Sequence, residues 1–220
     1  QKPQCIKQNW YEKRQFVTPC PLPLMPYQQI AVSHMIHRET HEKNYLSHAF
    51  ENNINGMTYN YVNGCHNHTI TPKTGGILQM DVGLGKTICS IALFQQLPIK
   101  TLVVVPLTLI DQWKTEIKQF LPECNVTECY GRRKNLSGDI VLTTYGTVRS
   151  MYQTNYDIGP FQRIIFDESH SIKSLLSITC RACAYLEAPN RWCLTATPIH
   201  NTSYHTIVPQ LSMLGCEPYR

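Results

Sequence analysis

The sequence predicts an α/β domain of three layers, a mostly parallel sheet with helices on both faces. Three observations predict it. From Gly75 onward, short apolar runs alternate with longer helical patterns, as in successive strand–helix–strand units. One run, "TLVVVP" at 101–106, is apolar throughout, as a strand buried on both faces has to be. The segment after it, "LTLIDQWKTEIKQFL", carries Leu109, Trp113, Ile117 and Leu121 at every fourth position, the apolar stripe of an amphipathic helix.

The elements follow in order. Residues 1–23 are polar and proline-rich and read as an irregular lead-in to a domain over 24–220. Tyr27 to His37 reads as a helix, with Ile30, His34 and His37, or else Val32 and Ile36, on one face. Residues 41–74 are rich in Asn, His, Thr and Tyr with little apolar periodicity, and read as an inserted loop between core elements. "GILQM" is a short strand and "KTICSIALFQQL" a helix opened by a glycine-rich turn. "NVTECY", "DIVLTTY", "RIIFDE" and "WCLTAT" are further strands, and no internal repeat is present.

Composition narrows the class. With 220 residues, 42% hydrophobic and 16% charged, the chain can bury a core as one large domain or at most two small ones. No apolar run approaches the roughly 20 residues that span a bilayer. The polar start "QKPQCIKQNW" is no secretory signal. The expectation is a soluble intracellular protein without a membrane partner. Ten cysteines in a small secreted chain would suggest disulfides. Here Cys89 and Cys193 sit in apolar periodic segments, so free buried thiols are expected. Cys180 and Cys183 form a C-x-x-C, and Cys65 and His68 a C-x-x-H. Two such pairs could hold zinc, but "ITCRACAYL" reads as a helix burying both sulfurs. The net charge of +5, densest at "GRRKN" (131–135), is compatible with nucleic acid and equally with a solvated loop.

The chemistry is concentrated at three strand ends. "MDVGLGKT" (80–87) lies between a strand and a helix, although a strict phosphate loop would have glycine at Met80. Gly83 and Gly85 let backbone amides converge on phosphate oxygens, and the helix N-terminus adds its positive end. Lys86 can reach the β- and γ-phosphates and the Thr87 hydroxyl can hold magnesium. "RIIFDESH" ends in adjacent acids. A parallel sheet brings its strand ends to one edge, so Asp167 can bind magnesium there and Glu168 can deprotonate the attacking water. "LTATP" is the third strand end; Thr195 and Thr197 would lie near His170 if its strand neighbours "RIIFDE".

Six segments in order then carry a resemblance: "LMPYQQIAV", "GGILQMDVGLGKT", "LVVVPLTLIDQWKTEI", "DIVLTTYGTVR", "RIIFDESHSIKS" and "LTATPIHN". Over nearly all of residues 24–201, apart from the insertion, the chain resembles the first, RecA-like lobe of a Swi/Snf-type ATPase of the superfamily-two helicases. In that family the loop usually reads D-E-M-G-L-G-K-T, so its first glycine is also missing and Met80 and Asp81 replace Asp and Glu.

The resemblance implies ATP and Mg2+ as cofactors. Gln28 would read adenine, and Gly83, Leu84, Gly85, Lys86, Thr87 and Ile88 would cradle the phosphates. Thr87 and Asp167 would hold magnesium, with Lys86, Asp167, Glu168 and His170 catalytic. Thr195 and Thr197 would couple hydrolysis to movement. Pro106 to Thr108, Thr143, Thr144, Tyr145, Lys173 and Asn201 would contact nucleic acid, expected to be duplex DNA. Ser169, where the family most often has alanine, is expected to matter little. Trp113 is expected in the core.

The family also implies a second lobe whose arginines complete the γ-phosphate site, and this chain does not include it. Such an arginine is worth roughly 10³ to 10⁵ in rate, so the lobe alone is expected to be nearly inactive. The expected parent is a nuclear, or host-nuclear, translocase that remodels protein–DNA complexes. The alternatives are a strand-separating DNA or RNA helicase and a silent nucleotide- or DNA-binding module.

Overall fold

The computed structural model describes residues 22–40, 74–199 and 206–216, and the backbone alone of residues 51–54, 57–60 and 66–67. Helix α1 (Pro26–Thr40) starts with proline in its first turn, where the missing N–H costs nothing. Its third residue, Gln28, accepts from the Met25 amide through Oε1 at 2.9 Å, the returning half of a capping box. Of the two expected faces, the buried one carries Val32, Met35 and Ile36, while Ile30 is exposed.

The insertion contains more regular structure than a loop. Strands β1 (Glu51–Ile54), β2 (Met57–Asn60) and β3 (His66–Asn67) form a separate antiparallel sheet in that order. The sequence reading missed them because two- to four-residue strands are too short to display alternation. Strand β4 (Thr74–Gln79) begins inside the expected insertion boundary.

The main sheet follows with helix α2 (Lys86–Gln96), β5 (Thr101–Val105), a 3-10 turn over Leu107–Leu109 and α3 (Ile110–Phe120). Next come β6 (Val126–Tyr130), β7 (Arg133–Lys134), β8 (Ile140–Thr144) and α4 (Tyr145–Gln153). After them lie β9 (Arg163–Phe166), α5 (Ile178–Tyr185), β10 (Asn190–Thr195) and α6 (Val208–Met213). The spatial order is β4-β10-β9-β5-β8-β6-β7. Every pairing is parallel except β6 with the short edge strand β7.

Alternation along the central strands assigns the layers, because successive strand residues point to opposite faces. Val103 and Val105 pack with Val32, Ile91, Trp113 and Ile117 of α1 to α3. Leu102 and Val104 pack with Val148, Ala182 and Met213 of α4 to α6. The sulfurs of Cys180 and Cys183 lie on buried positions of α5, as the helix reading expected; Cys65 and His68 fall outside the described residues.

Two features brace this frame. Arg163, fully buried, donates from Nε to Glu39 Oε1 at 2.7 Å and makes a second bond to Oε2, while Trp192 Nε1 donates to Oε1 at 2.8 Å. The last turn of α1 is thereby fixed to β9 and β10. At Gly75, φ is +121° and a Cβ would stand 1.8 Å from the Arg191 carbonyl oxygen; only glycine lets β4 approach β10 this closely.

Candidate nucleotide site

The three strand ends meet at one edge. Strand β10 lies between β4 and β9, so the loop after β4 and the acids after β9 flank the "LTATP" segment. The condition set by the sequence, that this last strand neighbour the acid strand, is met by the pairing of Cys193 with Phe166.

The loop 80–85 turns through left-handed glycines, Gly83 at φ +83° and Gly85 at φ +87°. A Cβ on Gly85 would lie 2.4 Å from Gln28 Nε2 and 2.8 Å from Ile88 Cγ2, so the cradle closes if that position gains a side chain. Gln28 donates from Nε2 to the Leu84 carbonyl at 2.9 Å, and Tyr27 donates from its hydroxyl to the same oxygen at 3.3 Å. The glutamine expected to read adenine is thus bonded to the phosphate loop and to its own helix cap. Its Nε2 also points to the Tyr27 hydroxyl at 3.5 Å, and the second lone pair of Oε1 is the group left for a base. Lys86, mostly buried, donates from Nζ to the Met80 carbonyl at 3.1 Å. Thr87 and Ile88 follow in the first turn of α2 and are half-buried, whereas Leu84 is exposed.

Asp167 is 4% exposed. Its Oδ2 accepts from Trp113 Nε1 at 2.8 Å and its Oδ1 from the Glu168 amide at 2.9 Å. Burial pushes its pKa up; the Trp113 and Glu168 hydrogen bonds and the nearby Lys86 charge oppose that rise. Each carboxylate oxygen has one donor and keeps a further lone pair. A buried carboxylate with free lone pairs is a hard oxygen donor, and its cost of desolvation falls when a divalent cation binds, so Asp167 fits magnesium.

Glu168 holds a left-handed backbone at φ 48°, uncommon for a residue with a side chain. That turn sends its carboxylate, partly exposed, to 3.2 Å from His170 Nδ1. The same ring nitrogen lies 3.0 Å from Thr195 Oγ1, which also accepts from the Thr197 amide at 3.1 Å. The expected link between the acids and the threonine segment is therefore a direct contact, while the Thr197 side chain is exposed.

The expected nucleic-acid residues divide. Thr108 and Lys173 are exposed and Pro106 half-exposed along the same edge. Thr143 is buried and donates its hydroxyl to the Cys129 carbonyl at 2.6 Å. Thr144 caps α4 by accepting from the Thr147 amide, and Tyr145 donates its hydroxyl to the Asp167 carbonyl at 2.7 Å. These three support the edge from inside, and their side chains do not face solvent. Asn201 lies outside the described residues.

Two contacts at this edge were not legible in the sequence. Trp113 is core, as expected, but its one polar atom is aimed at Asp167; the signal available was a tryptophan on an otherwise aliphatic stripe, whose buried N–H needs an acceptor. Ser169, expected to matter little, has a fully buried side chain whose hydroxyl lies 3.0 Å from Gln210 Oε1 and 3.3 Å from the Leu194 carbonyl.

With this geometry established, comparison with known proteins gives the family. The model of the SNF2-related domain matches residues 27–220. The chain belongs to the SNF2-related domain family. Among relatives, the DNA repair protein RAD5 of Yarrowia lipolytica is 30% identical over 247 aligned positions, covering 90% of this chain and 24% of that protein. The DNA repair protein RAD5A of Arabidopsis thaliana is 40% identical over 134, covering 54% of this chain and 13% of its own length. This SNF2-related chain thus spans a quarter or less of the length of these two relatives. The Sulfolobus solfataricus SWI2/SNF2 ATPase core, solved in complex with dsDNA, superposes with a TM-score of 0.64 at 23% identity, over 89% of this chain and 37% of that one. That likeness shows a shared fold.

Proposed function

We propose that this SNF2-related domain is the ATP-binding lobe of a DNA-dependent ATPase that translocates on duplex DNA and remodels protein–DNA complexes, in a nuclear setting such as repair. The observation that carries the reading is the convergence of Lys86, Asp167, Glu168 and the His170–Thr195 contact on one sheet edge. Relatives named for DNA repair and a neighbour solved on dsDNA support duplex DNA as the partner.

In this account Lys86 leaves the Met80 carbonyl to take the β- and γ-phosphates, which preorganises positive charge where negative charge develops. Gly83 to Thr87 supply amides to the same phosphates. Thr87 and Asp167 would hold magnesium, which when bound neutralises phosphate charge and fixes the phosphates in line. Glu168, carried outward by its left-handed turn, orients the attacking water and accepts its proton. His170 senses that change through its contacts with Glu168 and Thr195, and Thr195 passes it to the segment ending at Thr197. Gln28 selects adenine. Turnover further requires the arginines of a second lobe, so the chain alone binds nucleotide and turns it over slowly at most.

The test uses the full-length protein with ATP and duplex DNA. Displacement of a third strand from duplex DNA, with the duplex left intact, is the expected result. Separation of the duplex itself would assign a helicase instead. ATP binding without turnover on any nucleic acid would leave a binding module.

A further inference from the structure

Gln210 of α6 is fully buried, and its side-chain amide bonds to Ser169 and to the Pro198 carbonyl. Its Nε2 donates to the Pro198 carbonyl at 2.9 Å and points to the Thr206 carbonyl at 3.5 Å. Two carbonyls on one side fix the amide orientation, because only the nitrogen can face acceptors. The oxygen must then face a donor, and the donor is the Ser169 hydroxyl at 3.0 Å. That hydroxyl has one hydrogen, and Gln210 is nearer to it than the Leu194 carbonyl. An alanine at 169, as the family most often has, would leave Gln210 Oε1 buried without this donor.

We infer that Ser169 and Gln210 form a second link between the acid turn and the "LTATP" segment, separate from the His170–Thr195 contact, and that Gln210 is a positioning residue for Glu168. Ser169 directly follows the left-handed Glu168 and begins the 3-10 turn 169–171. Holding its side chain fixes the backbone that aims Glu168 and His170. Holding the Pro198 carbonyl fixes the far end of the segment that begins with Thr195. One amide thus sets the separation of two pieces that must move together, and it belongs to the helix that follows both in the chain. The functional part of this inference rests on the proposed ATPase activity; the bridge itself does not.

The test is a cycle of Ser169→Ala, Gln210→Met and the double variant in the full-length protein, read by turnover and by hydrogen exchange. Gln210→Met should lower kcat per folded molecule roughly tenfold, the effect expected of a slightly misplaced base, with the KM for ATP unchanged because Gln210 touches no part of the phosphate loop. The double variant should be no worse than Gln210→Met, since coupled partners are non-additive. Exchange of the Ser171, Ile172 and Thr197 amides should rise together in Gln210→Met. Additive losses, a lower melting temperature with kcat unchanged, or faster exchange confined to α6 would overturn the inference. A wild-type protein without turnover would refute the ATPase reading instead, and the exchange pattern would still decide whether the bridge holds the two segments.

Discussion

Replacing Trp113 by Phe removes a single N–H from beneath the candidate nucleotide site, and the structure sets the scale of what that costs. The indole donates at 2.8 Å to a carboxylate that is 4% exposed. A hydrogen bond to a charged acceptor contributes about 1.5–3 kcal/mol, and the acceptor left behind is buried. The lost ring volume adds about 1 kcal/mol of cavity cost. The sum, about 2.5–4 kcal/mol, is a large share of a stability of order 5–15 kcal/mol.

The pH dependence distinguishes the two contributions. Burial raises the folded pKa of Asp167 above its unfolded value, and the Trp113 bond pulls it back down. The native state therefore binds this proton more tightly than the unfolded chain. Stability falls as pH rises from the unfolded carboxyl range through the folded pKa, then levels. Removing Trp113 lifts the folded pKa further, so the variant loses more over the same rise. Urea unfolding without magnesium should give the full deficit at a pH above the folded pKa of Asp167, and a smaller one, tending toward the cavity cost alone, at a pH below it. In an Asp167→Asn background the deficit at the higher pH should shrink by about half, as coupled neighbours require. A deficit equal at both pH values and unchanged by Asp167→Asn would refute the reasoning, leaving Trp113 as packing only.

Other expectations follow from single contacts. Glu39→Ala strands the fully buried Arg163 guanidinium and should cost about 3–5 kcal/mol in denaturant unfolding. Gly75→Ala forces a Cβ onto the Arg191 carbonyl, so soluble yield and cooperative melting should both be lost. Burial pushes the Cys89 and Cys193 thiols up to about 12; alkylation of the native protein at about pH 8, read by mass spectrometry, should spare both until denaturant is added. Lys86→Ala should abolish measurable ATP binding by titration calorimetry while leaving the fold intact, since the hydrogen bond of its ammonium is to the Met80 carbonyl of its own loop.

The main sheet was legible because it is made by patterns that act locally. A fully apolar strand such as "TLVVVP" can only be central, and β5 is. The ligand edge followed from parallel topology, which puts the ends of β4, β9 and β10 together whatever fills the helices between them. Features set by long-range pairing of polar groups were not legible. Glu39 and Trp192 meet across 153 positions of chain, and nothing local to either announces the other. Ser169 reads as a small substitution until Gln210, 41 residues on, is seen to complete it. Thr143 and Tyr145 were expected at a nucleic-acid surface on motif position alone, whereas their hydroxyls bond inward to Cys129 and Asp167.

The central claim is that this edge hydrolyses ATP in response to duplex DNA. The most direct measurement is the rate of ATP hydrolysis by the full-length protein, with and without saturating duplex DNA, beside Glu168→Gln. Duplex DNA should strongly stimulate hydrolysis by the wild type. Glu168→Gln should bind ATP with near-normal affinity and show turnover reduced at least about 10²-fold, the scale of a lost general base. Duplex-stimulated turnover that survives Glu168→Gln would contradict the role given to this residue, and the absence of turnover with ATP bound would contradict the claim itself.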